Sequence, residues 1–113
     1  MITDFSFGRI TANGQNFNSD IKIVRGTLVP DWWRKSGHTV EIEDVQDVLD
    51  SDSEFLVIGQ GQLGYMKITD SLRKRLAEMQ IELIEEPTAR AIDTFNRLYS
   101  EGRRLSGGFH VGC

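Results

Sequence analysis

Three short runs of residues carry side chains and backbone suited to chemistry. The first is Gly59-Gln60-Gly61-Gln62-Leu63-Gly64, which matches the G-x-G-x-x-G pattern. Glycines in that pattern let a backbone approach a pyrophosphate at a helix N-terminus. The run follows an apolar stretch, and the acidic pair Glu85 and Glu86 closes the next one, as a ribose-binding acid would. The helix starts too late, however. In a dinucleotide fingerprint it begins inside the glycines, whereas Tyr65-Met66-Lys67-Ile68 intervenes before the first capping residue, Thr69 or Asp70. The chain also lacks the second half that such folds supply. The run reads first as a tightly turning strand-to-helix loop, with a nucleotide-like or anionic ligand held by Gly59, Gly61 and Gly64 as the alternative.

The second run is Trp32-Trp33-Arg34-Lys35-Ser36-Gly37-His38. Adjacent indoles followed by two cations can stack on and clamp an anionic or planar ligand, or form a protein-binding hot spot. Neighbours in an extended chain point to opposite sides, so at most one of the two tryptophans belongs to the core. The third is His110-Val111-Gly112-Cys113, with His38 elsewhere in the chain. A thiolate and two imidazoles can bind a soft metal, and a Cys-His pair can supply a nucleophile and its base. The spacing identifies no further ligand, and a buried strand end with a satisfied histidine explains the same residues. No metal, cofactor or catalytic residue is assigned. Arg73-Lys74-Arg75 reads as a solvated helix face, and Arg103 and Arg104 follow a helix end where the dipole favours cations. The carboxylate pairs Asp44 with Asp47, and Glu85 with Glu86, have no histidine or nucleophile placed beside them by sequence.

The elements that must position these runs alternate along the chain. Phe5, Phe7 and Ile10 lie near the hairpin signal Asn13-Gly14, and Ile21, Ile23 and Val24 form a second short strand closed by Gly26. Residues 27–41 fit neither period and read as a loop. Ile42, Val45, Val48 and Leu49 have helical spacing behind the acids Glu43 and Asp44. Asp50 to Ser53 is a turn, and Phe55-Leu56-Val57-Ile58 is a continuous apolar run, as in a strand buried on both faces. Leu72, Leu76 and Met79 share one face of a second helix, and Ile81, Leu83 and Ile84 give another strand. The last helix starts at Pro87, stacks Ala91, Phe95, Leu98 and Tyr99, and ends at Gly102. Leu105, Phe109 and Val111 supply a final strand.

Strands alternating with helices imply a largely parallel sheet with right-handed crossovers. The fold class is therefore α/β: a three-layer single domain over residues 1–113, its mixed, mostly parallel central sheet preceded by an N-terminal β hairpin. With 113 residues there is room for one core. A formal net charge of −4 argues against a general nucleic-acid binder, which needs a broad basic face. The single cysteine excludes an internal disulfide, and no apolar stretch approaches the roughly 20 residues of a membrane span. The N-terminal residues show no signal-peptide pattern. A cytoplasmic location, without nucleic-acid or membrane partners, is expected.

Taken together, Phe7-Gly8, Trp33-Arg34-x-x-Gly37-His38, Val57-Ile58-Gly59-Gln60-Gly61-x-x-Gly64 and the Gly107-x-x-His110-x-x-Cys113 tail resemble the adipogenesis-associated domain family. That family of small uncharacterised proteins includes a mitochondrial complex I assembly factor. The resemblance covers nearly the whole chain. It implies a three-layered α/β fold with a mixed sheet, and a role in assembly or regulation without an established activity or cofactor. The expectation is a non-enzymatic binding or assembly module that contacts a protein partner or a small molecule, with Trp32, Trp33, Arg34, His38, Gly59, Gly61, Gly64, His110 and Cys113 as candidate contact residues.

Overall fold

Alternation along Phe55-Leu56-Val57-Ile58 sends Leu56 and Ile58 into one apolar cluster and Val57 into another, on opposite sides of the strand. The computed structural model describes residues 1–113 and builds everything else around that two-faced strand. Three antiparallel strands open the chain: β1 (Ile2–Ser6), β2 (Arg9–Ala12) and β3 (Gln15–Phe17). A hairpin of β4 (Ile21–Val24) and β5 (Thr27–Val29) follows. Next come β6 (Thr39–Val40), a 3-10 turn (Ile42–Val45) and α1 (Gln46–Leu49). The remainder runs β7 (Phe55–Gly59), β8 (Lys67–Ile68), α2 (Asp70–Glu78), β9 (Glu82–Glu86), α3 (Thr88–Ser100) and β10 (Leu105–Phe109).

The central sheet has the order β5-β4-β10-β7-β9. Strand β7 is parallel to both β10 and β9, while β4 and β5 add an antiparallel edge. One face packs α3 and the β1-β2-β3 sheet through Ile10, Ile21, Ile23, Val57, Phe95 and Phe109. The other packs α1 and α2 through Val45, Val48, Leu56, Ile58, Leu72 and Leu76. The expected three layers and mixed sheet are present, and Asn13-Gly14 makes the turn between β2 and β3, both residues at positive φ.

Strand β10 lies at the centre and is thinned to fit. A Cβ on Gly107 would stand 2.8 Å from Cε2 of Phe109, and one on Gly108 would stand 2.6 Å from Cη2 of Trp32. Helix ends follow their capping chemistry. The Thr69 hydroxyl accepts from the Leu72 amide, and Gly102, at φ +73°, ends α3 in the left-handed region.

Several expectations need correction. Residues 27–41 are not all loop, because Thr27–Val29 pairs with β4 and Thr39–Val40 pairs with β8. The helix over 42–49 is a 3-10 turn joined to a single α-turn, too short to show a full period. The final strand stops at Phe109, since the Val111 amide donates to the Asp20 carboxylate and leaves the ladder. Met79 and Tyr99, expected on apolar faces, are exposed. Pro87 sits just before the first turn of α3 rather than inside it. Arg73 is not merely solvated: its guanidinium makes a two-pronged bond to Glu85 of β9, each contact 2.6 Å long.

Candidate functional site

The register of the sheet creates the site. Phe109 pairs with Ile21 across the antiparallel β10-β4 ladder, so one further step brings His110 opposite Asp20. There the ladder gives way to side chains. His110 Nδ1 lies 2.8 Å from Asp20 Oδ2, and the Val111 amide donates to Asp20 Oδ1 at 2.8 Å. A third donor, Nη2 of Arg34, reaches Asp20 Oδ2 at 2.6 Å. Burial is the largest influence on the Asp20 carboxyl and opposes its ionisation. The donors from His110, Val111 and Arg34 together outweigh it and hold the group below the usual aspartate value.

Asp20 is therefore a carboxylate, which only accepts, and Nδ1 of His110 must carry the proton. In the neutral ring that fixes the tautomer and leaves Nε2 as an acceptor. Nε2 is buried and has no partner. An unsatisfied buried acceptor costs about 1–3 kcal/mol, so this atom is a departure from normal packing. Three groups hem it in. His38 meets the His110 ring edge-on at 5.0 Å between centroids. A Cβ on Gly61 would lie 2.8 Å from Cδ2, and one on Gly112 would lie 3.3 Å from Nε2.

The tryptophan run folds over this floor. Asp31 takes a left-handed conformation at φ +53°, tolerated by aspartate, and its carboxylate accepts from Ser19. The kink drives Trp32 inward and Trp33 outward, with 4% and 82% of their surfaces exposed. Trp32 donates its indole N–H to the Asp44 carbonyl at 2.9 Å, and the Arg34 guanidinium lies 4.6 Å from the Trp32 ring centre. Arg34 also donates to the Gly37 and Trp32 carbonyls. Its donors are committed within the protein, so it does not act as the anion clamp its sequence neighbourhood suggested.

Between these parts lies a cleft of about 410 Å³, within the usual range for ligand pockets. Its exposed area is mostly apolar, although the residues that line it are mainly polar or glycine: Ser19, Asp20, Arg34, His38 and His110 beside Trp33 and Gly112. Segments tied to the C-terminal tail carry three large hydrophobic side chains open to solvent. Phe7 adjoins Gly8, whose amide donates to Val111; Leu63 and Tyr65 flank the tail, tied to it by Gln62 N–H to the Gly112 carbonyl and Tyr65 N–H to the Cys113 carbonyl. Phe7, Leu63 and Tyr65 are each more than half exposed.

Of the residues singled out in the sequence, Trp32, Trp33, Arg34, His38 and His110 converge here. The glycine loop does not line the cleft. Gly59 ends β7, boxed in by Phe109 and Thr88; the Gly61 amide donates to the Thr88 hydroxyl; and the Gly64 amide donates to the Gly61 carbonyl. A Cβ on Gly61 would sit 2.4 Å from the Cys113 carbonyl. These amides are spent on the loop and the tail, and the loop is no cradle for a phosphate. Cys113 packs against that loop, and no group of three or more His, Cys, Asp or Glu side chains is arranged to hold a metal ion. Sequence reasoning missed Asp20, Phe7, Leu63 and Tyr65. The position of Asp20, one residue before β4, was the only available signal, and reading it required the register of a pairing 90 residues apart.

A part-buried Asp-His pair beneath a surface cleft is thus built into a small α/β domain with a mixed central sheet. The chain belongs to the family of proteins of unknown function designated DUF498/DUF598, whose model matches residues 2–110. Solved structures share the fold throughout. A conserved hypothetical protein from Pyrococcus horikoshii OT3 is 23% identical with a TM-score of 0.89, covering 100% of this chain and 99% of its own. A protein described as an outer membrane protein from Bartonella henselae is 23% identical with a TM-score of 0.85, covering 99% and 94%. A Bordetella pertussis protein described as a Mth938-like domain is 18% identical with a TM-score of 0.75, covering 97% and 84%. No helix of this chain is long and apolar enough to cross a membrane.

Proposed function

We propose that this protein is a non-enzymatic binding module that seats an apolar group of a partner in the Trp33–His110 cleft. The observation that carries the reading is the pairing of opposites at residues 32 and 33. Trp32 is bolted to the Asp44 carbonyl and to Arg34, while its neighbour Trp33 stands in solvent at the cleft mouth. A rigid mount that holds a large aromatic outward is what an interaction hot spot requires. Phe7, Leu63 and Tyr65 add exposed hydrophobic surface on segments bonded to the tail, and exposed apolar surface of this kind marks contact sites.

Two finer expectations accompany this reading. The chain works in the cytoplasm, consistent with its single cysteine. Its role is assembly-like, by resemblance to the adipogenesis-associated domain family. The test is site-specific photocrosslinking in the source cells. A photoreactive side chain at Trp33 or Tyr65 should give one discrete adduct, absent when the probe replaces Tyr99. Tyr99 lies beside Leu105 at the start of β10, the opposite end of the sheet from the cleft. Equal crosslinking from all three positions, or none from any, defeats the proposal.

A further inference from the structure

We infer that the cleft takes a planar aromatic group bearing an O–H or N–H donor, a phenol or an indole, whose proton is accepted by Nε2 of His110. The inference rests on the reading of the cleft as a binding surface and specifies its occupant.

The argument starts from the unused atom. Asp20 fixes the proton on Nδ1, so Nε2 presents a lone pair, and nothing in the protein donates to it. Arg34 already balances the charge of Asp20, so with the ring in its neutral form the cluster carries no net charge. An anion would find neither a free guanidinium nor a donor on this ring. A purely apolar ligand would leave the acceptor buried and unpaired. Only a donor satisfies it.

The space around Nε2 is arranged to admit such a group. Gly112 lines the cleft beside Nε2, and a side chain there would begin 3.3 Å from that atom. The other neighbour of the ring is His38, an exposed residue in the turn closed by the Thr39 amide on the Ser36 carbonyl. Its ring meets His110 edge-on and makes no hydrogen bond of its own, so the His38 side chain can rotate away from the His110 ring without breaking the backbone. The exposed Trp33 indole supplies a stacking face at the mouth. Donor-seeking floor and aromatic lip together select an amphipathic ring over an aliphatic chain.

The test uses the full chain with 15N-labelled histidine at pH 8, titrated with p-cresol, toluene and 4-methylanisole. The last two share the ring and lack the donor. p-Cresol should shift the His110 Nε2 resonance saturably, and the other two should bind at least about tenfold more weakly. His38→Ala should tighten p-cresol, and Trp33→Ala should weaken all three. Toluene binding as tightly as p-cresol, or a His110 Nε2 resonance unmoved by p-cresol at its solubility limit, overturns the inference. Crosslinking at Trp33 with no p-cresol response would leave the binding surface standing and remove only this occupant. N-acetyltyrosinamide separates the two sources of a phenol. Binding comparable to p-cresol assigns the ring to a partner's tyrosine, and exclusion assigns it to a free small molecule.

Discussion

Gly108 of β10 and Trp32 are in mutual contact across the central sheet, and each requires the other. A Cβ at residue 108 would lie 2.6 Å from Cη2 and 2.7 Å from Cζ3 of the indole. The side chain it would strike is buried and hydrogen-bonded, so it can yield only by leaving its site. Gly108→Ala should cost about 1–3 kcal/mol, as overpacking does, measured by urea denaturation. In a Trp33→Phe background the remaining tryptophan emission should move to the red as Trp32 is expelled.

The two tryptophans should separate cleanly by substitution. Trp32→Ala removes a buried aromatic and should cost about 3–5 kcal/mol, whereas Trp33→Ala should change stability by less than about 0.5 kcal/mol. Equilibrium denaturation of both variants checks this, with the fold of Trp33→Ala verified by amide NMR. A Trp33→Ala variant that unfolds would place that indole in the core and contradict its exposure.

Gly61→Ala tests what the glycine loop is for. Residue 61 has φ +94°, and the added Cβ would meet the Cys113 carbonyl and the His110 ring. Strain and overpacking each cost about 1–3 kcal/mol. The variant should lose stability in that range and show amide shifts concentrated at residues 110–113, with no change in response to added nucleotide. A nucleotide-dependent shift in the natural chain, lost in the variant, would restore the phosphate reading.

Acid stability should depend on Glu54. Hydrogen bonds from the Arg103 guanidinium and the Arg104 amide lower its carboxyl from 4.5 to about 2. The folded state therefore holds this proton less tightly than the unfolded chain. The stabilisation is present above pH 4.5 and is lost as pH falls toward 2. Glu54→Gln should flatten the decline of melting temperature across that window and leave the curve near neutrality almost unchanged. Added salt should shrink the difference, because the group lies at the surface.

The fold was legible where one period ran uninterrupted. The alternation at residues 55–58 and the helical spacing of Ala91, Phe95 and Leu98 each name their element, because each presents a continuous apolar face. Strands β6 and β8 carry too few residues to show a period, and they form because they pair with each other. The site was legible only in part, for the same physical reason. The tryptophan run and His110 stand out by residue type. Asp20 does not, since its role comes from a register set by strands at opposite ends of the sequence. The G-x-G-x-x-G pattern misled because glycines serve two needs that look alike in sequence: to let a ligand approach backbone, and to let another stretch of the same chain approach it. Here Cys113 and His110 occupy the space.

The Asp20 ladder step joins residues 90 and 91 positions apart, and Gly8 reaches even farther along the chain, to Val111. During translation, therefore, every wall of the cleft except the last is made before the floor, yet the sheet closes only when its central strand β10 has emerged. The nascent polypeptide presents Phe7 and Trp33 early but gains an engaged His110 only after residues 110 and 111 emerge from the ribosome. A chain cut short before residue 110 therefore lacks the floor of the cleft, whatever else of it has been made.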